Sequence, residues 1–280
     1  MPELPEVETV RRGMEAAMRG RPIAGVTVRR ADLRRALPVD FAARVTGRVV
    51  RGIRRRAKYL LLDLDDGTVL IIHLGMSGRI SIVPADAAAA EGAHGKHEHV
   101  VFAVGNGTEV RFSDPRRFGL MALTTRDEED GHPLFARLGP EPLDPAFDGA
   151  ALAARLAGKR TPIKAALLDQ RVVAGLGNIY VCESLFMSGI SPRRLARTVQ
   201  GERADRLAKA IHQVLEAAIE AGGSSLRDHA APSGELGYFQ HHFKVYDREG
   251  AACPHLGCSG TVKRLVQSGR STFFCPTCQR

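Results

Sequence analysis

Four cysteines near the C-terminal end of this 280-residue chain have a spacing that could do chemistry. Cys253 and Cys258 form one pair and Cys275 and Cys278 another, with sixteen residues between the pairs. Two short-spaced pairs on two turns can bring four thiolates together tetrahedrally, the arrangement that structural Zn²⁺ prefers. The surrounding tail holds too few apolar residues to fold alone, so metal binding would supply the folding energy. One structural Zn²⁺ is therefore expected. His255 could replace one thiol, although four cysteines suffice. The fifth cysteine, Cys182, lies in a helical stretch and reads as a small buried apolar residue. Lys263, Arg264 and Arg270 lie between the pairs, which suits a β-hairpin gripping a phosphate backbone.

Other clusters of chemistry-bearing residues lie upstream. Arg54-Arg55-Arg56-Ala57-Lys58-Tyr59 leads directly into an apolar strand. Such a run is usually a solvated face, but alternation could turn Lys58 inward, where a lysine is catalytic or binds phosphate. His73-Leu74-Gly75-Met76-Ser77-Gly78 reads as a glycine-flanked turn with methionine at its tip. Asp114-Pro115-Arg116-Arg117-Phe118-Gly119 places arginine and phenylalanine on a second turn. Core packing would account for Met76 and Phe118; so would a role as wedges that enter a base stack from exposed turns. In Gly175-Leu176-Gly177-Asn178, glycines precede a helix, whose free amides could bind phosphate; a tight interhelical turn would look the same. Pro2 and Glu3, taken alone, suit the first turn of a helix.

The elements that must position these groups fall into two kinds. Glu3 to Arg19 carries Val7, Val10, Met14 and Met18 at helical spacing and ends at Gly20. Strands are then predicted over 23–29, 49–53, 59–64, 69–74, 99–104 and 109–112. Asp65-Asp66-Gly67 and Gly105-Asn106-Gly107 mark hairpin turns. Proline, glycine and acidic residues over 126–148 read as a linker. Beyond it, 150–156, 162–169, 180–188 and 191–220 have helical spacing, and 87–90 is a short loop candidate. The fold class expected is α+β, with an N-terminal antiparallel β-sandwich led by a helix, then a helical region and a cysteine-bearing hairpin. The domains read as 1–130, a linker over 131–149, 150–237 and 238–280.

Forty Lys and Arg against thirty-one Asp and Glu give a formal charge of +9 and a pI near 9.7. Such a balance favours polyanionic partners, nucleic acid above all. No run approaches the ~20 apolar residues that span a bilayer. The opening residues are acidic where a signal peptide would be basic. A cytosolic protein with no membrane partner is expected, and reduced thiols there point to metal rather than disulfides.

In order along almost the whole chain, PELPEVET, RRAKYLLL, HLGMSG, DPRRFG, LGPEPL, GLGNIY with ESLF, and the cysteine tail with RSTFFC resemble the formamidopyrimidine-DNA glycosylases. Leu4 favours this purine-lesion branch over the related endonuclease VIII branch, whose members typically carry glycine there. The resemblance implies a helix–two-turns–helix domain over 150–237 with a lesion-recognition loop (Ser224 to Gln240). It also implies a zinc-finger hairpin and damaged double-stranded DNA bound by a monomer. By similarity Pro2 is the nucleophile and Glu3 its acid/base partner. Lys58 is an essential lysine near lesion and phosphate, and Arg270 is the finger arginine. His97, Arg116, Lys159 and Asn178 match DNA-contacting positions, while Met76, Arg116 and Phe118 match the residues that fill the gap of the flipped base. Lys164 matches a further motif lysine without an assigned role. One departure is the four residues between Cys253 and Cys258, where many members have two.

The implied chemistry is base excision followed by strand cleavage. Removal of Met1 would free the secondary amine of Pro2, and an α-amino group titrating near pH ~8 keeps a useful neutral fraction at pH 7. Attack on C1′ would give an iminium, the electron sink for β,δ-elimination, with Glu3 moving protons. Arg270 is a poor proton donor and would clamp phosphate. The alternatives are an oxidised-pyrimidine glycosylase of the endonuclease VIII branch, and a non-catalytic zinc-finger DNA-binding protein.

Overall fold

The computed structural model describes residues 2–91, 95–224 and 237–280. The chain divides into two compact units, one of residues 1–136 with 221–238, the other of 137–220 with 239–280.

The first unit opens on helix α1 (Leu4–Met18). Pro5 sits in its first turn, where no amide partner is lost, and Glu3 with Glu6 forms the reciprocal capping box that satisfies amides there. Val7, Val10, Met14 and Met18 line its buried face. Each contributes roughly 1.5–3 kcal/mol by leaving water. Left-handed Gly20 (φ 75°) turns the chain after it. There follow β1 (Ile23–Val28), α2 (Phe41–Val45), β2 (Val50–Arg56), β3 (Tyr59–Leu64), β4 (Thr68–His73), β5 (Arg79–Val83), α3 (Ala85–Glu91), β6 (Glu98–Val104), β7 (Glu109–Ser113) and β8 (Leu120–Thr125). The strands make two four-stranded antiparallel sheets, in the orders β1-β6-β7-β5 and β2-β3-β4-β8. One core joins them: Ile53, Leu60, Leu62, Leu70 and Ile72 of one sheet pack with Val100, Phe102, Val110 and Phe112 of the other and with α1. This is the expected sandwich with its leading helix. Both hairpin turns form where the glycines indicated, with Gly67 and Gly107 at φ 83°.

The second unit holds α4 (Gly149–Leu156), α5 (Ile163–Leu168), α6 (Asn178–Met187) and α7 (Glu202–Glu220), then strands β9 (Lys263–Gln267) and β10 (Arg270–Phe274). Ser268 and Gly269 link the two strands with positive φ at both residues (49° and 72°), the signature of a type I′ hairpin turn.

Several local expectations need correction. The helix expected over 191–220 begins only at Glu202. Pro192 and left-handed Gly201 interrupt the chain before it, leaving a 3₁₀ turn at Ala196–Thr198. Residues 87–90 belong to helix α3 rather than a loop, in line with alanine's helix propensity. The strand expected over 49–53 runs on through Arg54–Arg56 as β2, where Arg54 finds carboxylates at Asp63 (2.7 Å) and Glu129 (2.6 Å). Two strands were not expected: β8, LMALTT, shows no alternation, while β5, RISIV, alternates over only four residues directly after the glycine turn.

Candidate functional site

Pro2 and Glu3 are buried at the start of α1. The Glu3 amide donates to Glu6 Oε2 at 2.9 Å. The other oxygen of Glu6 accepts Ser224 N (2.8 Å) and Ser224 Oγ (3.0 Å), which ties the chain end to residues 221–224 of the same unit. Gly223, at φ 80°, makes room for this: a Cβ there would lie 3.1 Å from Glu6 Oε1. A terminus that would otherwise fray is thereby held at both its backbone and its first helical turn. The expected recognition loop, Ser224 to Gln240, lies mostly outside the described residues.

Lys58 is buried in the two-residue turn between β2 and β3, after left-handed Ala57 (φ 53°), and so does turn inward. Next to this turn, His73 packs against Tyr59 with ring centroids 4.8 Å apart. Its Nδ1 accepts the Gly75 amide at 3.0 Å, which fixes the proton on Nε2 in the neutral ring. Burial, then the charges of Lys58 and Arg34, push its pKa down to about 4. The unfolded chain therefore binds the proton first, and His73 contributes stability that is complete above pH 6.5 and lost as pH falls towards 4. The loss is expected to reach about 2–3 kcal/mol. Urea unfolding at pH 7 and pH 4.5 should show a smaller difference in His73→Asn than in the wild type; equal differences would contradict it.

The two glycine turns place their apolar side chains outward. Met76 is 41% and Phe118 42% exposed, which excludes the core-packing account of both. The Arg116 guanidinium lies 4.8 Å from the centre of the Phe118 ring, and His97 is exposed.

In the second unit, Asn178 begins α6 after an N-cap, Gly177, that offers no side-chain cap. Gln170 braces the preceding turn, accepting from Gly175 N (2.9 Å) and donating to Leu176 O (2.8 Å). Asn178 Nδ2 donates to Ser271 O at 2.9 Å. Lys164 is fully buried, and its Nζ donates to the same carbonyl (2.8 Å) and to Thr272 Oγ1 (2.7 Å). Its place is thus a strut behind β10. Arg270 is exposed at the start of that strand, and Lys159 is half-buried after left-handed Gly158.

The four cysteines converge. All four sulfurs lie within 4.8 Å of one another, and the pairs Cys253–Cys278 and Cys258–Cys275 are 3.7 Å apart. Tetrahedral Zn–S bonds of about 2.3 Å require sulfurs about 3.8 Å apart, so the donor set fits one zinc ion. His255 is exposed and stands outside this group. The longer first knuckle closes through left-handed Gly257 (φ 76°) and a Cys258 N–His255 O hydrogen bond of 3.0 Å.

Residues 1–121 match the formamidopyrimidine-DNA glycosylase N-terminal domain, and 138–230 match the H2TH domain of the same enzymes. Residues 250–280 match the zinc finger found in these enzymes and in isoleucyl-tRNA synthetase. A formamidopyrimidine-DNA glycosylase of Rhodopseudomonas palustris is 58% identical over 293 aligned positions, covering 100% of both chains. The chain belongs to the formamidopyrimidine-DNA glycosylase family. A solved Lactococcus lactis member in complex with Fapy-dG-containing DNA is similar at a TM-score of 0.89 and 33% identity, covering 100% of both chains. Another, from the same organism with abasic-site DNA, reaches 0.89 and 33% over 99% of each.

Several residues that brace these groups carry little local signal in the sequence. Glu6 was legible as the N3 carboxylate of a capping box, though its bond to Ser224 was not. Asp114 and Ser77 lie inside the two quoted turns, but nothing local marks them as partners. Gln170 and Thr272 carried no signal.

Proposed function

We propose that the protein is a DNA glycosylase and abasic-site lyase of base excision repair that removes oxidised purines, formamidopyrimidines and 8-oxoguanine among them. The observation that carries this reading is the fixed, buried Pro2-Glu3 terminus in a chain related over its full length to these glycosylases. Pro2 attacks C1′ as the base leaves, and the resulting iminium acidifies the sugar for elimination at both phosphates. Glu3 moves protons to the ring oxygen and from the sugar carbons. Lys58 holds the lesion-flanking phosphate. His97, Arg116, Lys159, Asn178 and Arg270 bind the DNA backbone, and Met76, Arg116 and Phe118 occupy the gap left by the flipped base. Relatives solved with Fapy-dG-containing and abasic DNA support the substrate class. No helix among the described residues is long and apolar enough to cross a membrane. The enzyme is proposed to act as a monomer in the cytoplasm.

The deciding experiment compares excision from duplexes carrying 8-oxoguanine and thymine glycol. Faster release of the purine lesion is expected; faster release of the pyrimidine would move the protein to the endonuclease VIII branch. Release of neither would leave a non-catalytic DNA-binding protein.

A further inference from the structure

Each exposed turn carries hydrogen bonds of its own, Gly78 N to Leu74 O at 2.9 Å and Arg117 N to Asp114 O at 3.2 Å, and one buried carboxylate joins the two. Asp114 is 0% exposed. Its Oδ1 accepts Ser77 Oγ at 2.6 Å and Arg116 N at 3.3 Å, and its Oδ2 accepts Gly119 N at 2.7 Å. Ser77 Oγ also accepts Arg116 N at 3.2 Å. The Asp114 amide donates to His97 O at 3.0 Å, and its carbonyl lies 2.8 Å from His99 Nε2. The turns touch directly as well. A Cβ on Gly75 would overlap the Phe118 backbone, and one on Gly119 would lie 3.0 Å from His73 O.

A carboxylate stripped of water and held by neutral donors is costly. Bonds confined to one turn, such as the Asx contact of Asp114 Oδ1 with Arg116 N, close that turn without fixing it to the other. What the shared carboxylate adds is register between Met76 on one turn and Arg116 and Phe118 on the other. The geometry points to Asp114 and Ser77 as positioning residues that lock the two turns together, so that their side chains enter one gap in the duplex. This rests on the wedge role proposed above. Neither residue touches the DNA in this scheme. His97 is held by its carbonyl on the backbone amide of the same residue, so three segments of the proposed DNA-facing surface meet at Asp114.

The test uses Ser77→Ala and Asp114→Asn in the full-length protein. In duplex DNA carrying 8-oxoguanine, each variant should excise about ten- to a hundredfold more slowly, the loss a buried charge-assisted hydrogen bond commands. Cleavage of a single-stranded abasic oligonucleotide needs no wedge and should stay within about twofold of wild type. Fluorescence of 2-aminopurine opposite a tetrahydrofuran site should fall to the level of Met76→Ala, and Ser77→Ala added to Met76→Ala should cost nothing more. Wild-type excision by both variants, or equal losses on both substrates, would overturn the proposal. If the wild type cleaves neither substrate, the glycosylase reading fails, and hydrogen exchange of the DNA-free protein still decides the anchor. Faster exchange at the Arg116 and Gly119 amides in both variants supports it, and unchanged exchange refutes it.

Discussion

Blocking the Pro2 nitrogen is expected to abolish base excision and strand cleavage together. A protein with one residue left ahead of Pro2 has an amide there, and an amide has no lone pair to give to C1′. Single-turnover excision should fall at least about a thousandfold, and borohydride should trap no covalent protein–DNA adduct with an abasic duplex. Pro2→Gly is the subtler case, because it keeps an α-amine but frees its backbone. Glu6 fixes the amide of Glu3 at 2.9 Å, one peptide beyond the attacking nitrogen. Proline's ring carries that rigidity to the amine itself, so glycine should lose most of the rate through orientation while retaining a trace of trapping. Mass measurement of the N-terminus identifies which protein is in each assay. An adduct formed with full yield by the blocked protein would place the nucleophile elsewhere, and Lys58 would be the first amine to test.

The proposed wedge and the anchor beneath it differ in how far the sequence could expose them. Gly75, Gly78 and Gly119 announce tight turns, and Met76 and Phe118 stand out on them, so the surface proposed to meet DNA is legible locally. The anchor beneath is not, because Ser77 and Asp114 are 37 residues apart and Glu6 and Ser224 are 218 apart. Hydrogen bonds between such distant positions leave no periodicity, only polar residues that look solvated. The same reason hid Lys164. Its motif marked it, yet its partner lies 108 residues away on β10, and only the fold shows that this lysine faces a threonine and a carbonyl. Secondary structure failed in another way. Strand β8, LMALTT, has no polar–apolar alternation to mark it, whereas α1, with Val7, Val10 and Met14 in step, was plain.

That dependence on distant partners also fixes what metal removal should do. The apolar cluster around the cysteines is small: Phe186, Val245, Val262 and Phe273 pack there with Cys182, Cys253 and Cys275. Without a cation, deprotonated sulfurs within 4.8 Å repel, and protonated ones leave a weakly held pair of turns. Structural zinc contributes about 10–16 kcal/mol in such sites, as much as the whole stability of a typical domain. Chelation, or Cys275→Ser, should therefore unfold the β9–β10 hairpin. Lys164 and Asn178 would lose the Ser271 carbonyl together, and Lys164 the Thr272 hydroxyl as well, so a buried ammonium stripped of these two acceptors disfavours what remains of the packing around α5. Duplex affinity should drop at least about a hundredfold in a titration at fixed salt, with Arg270 displaced, while a metallochromic dye reports one zinc released per chain. Cleavage of a single-stranded abasic oligonucleotide should suffer less, because Pro2, Glu3 and Lys58 belong to the other unit. Zinc-free protein that bound duplex DNA with undiminished affinity would sink the proposed role of the hairpin, and equal loss of both activities would mean that the metal supports the first unit as well.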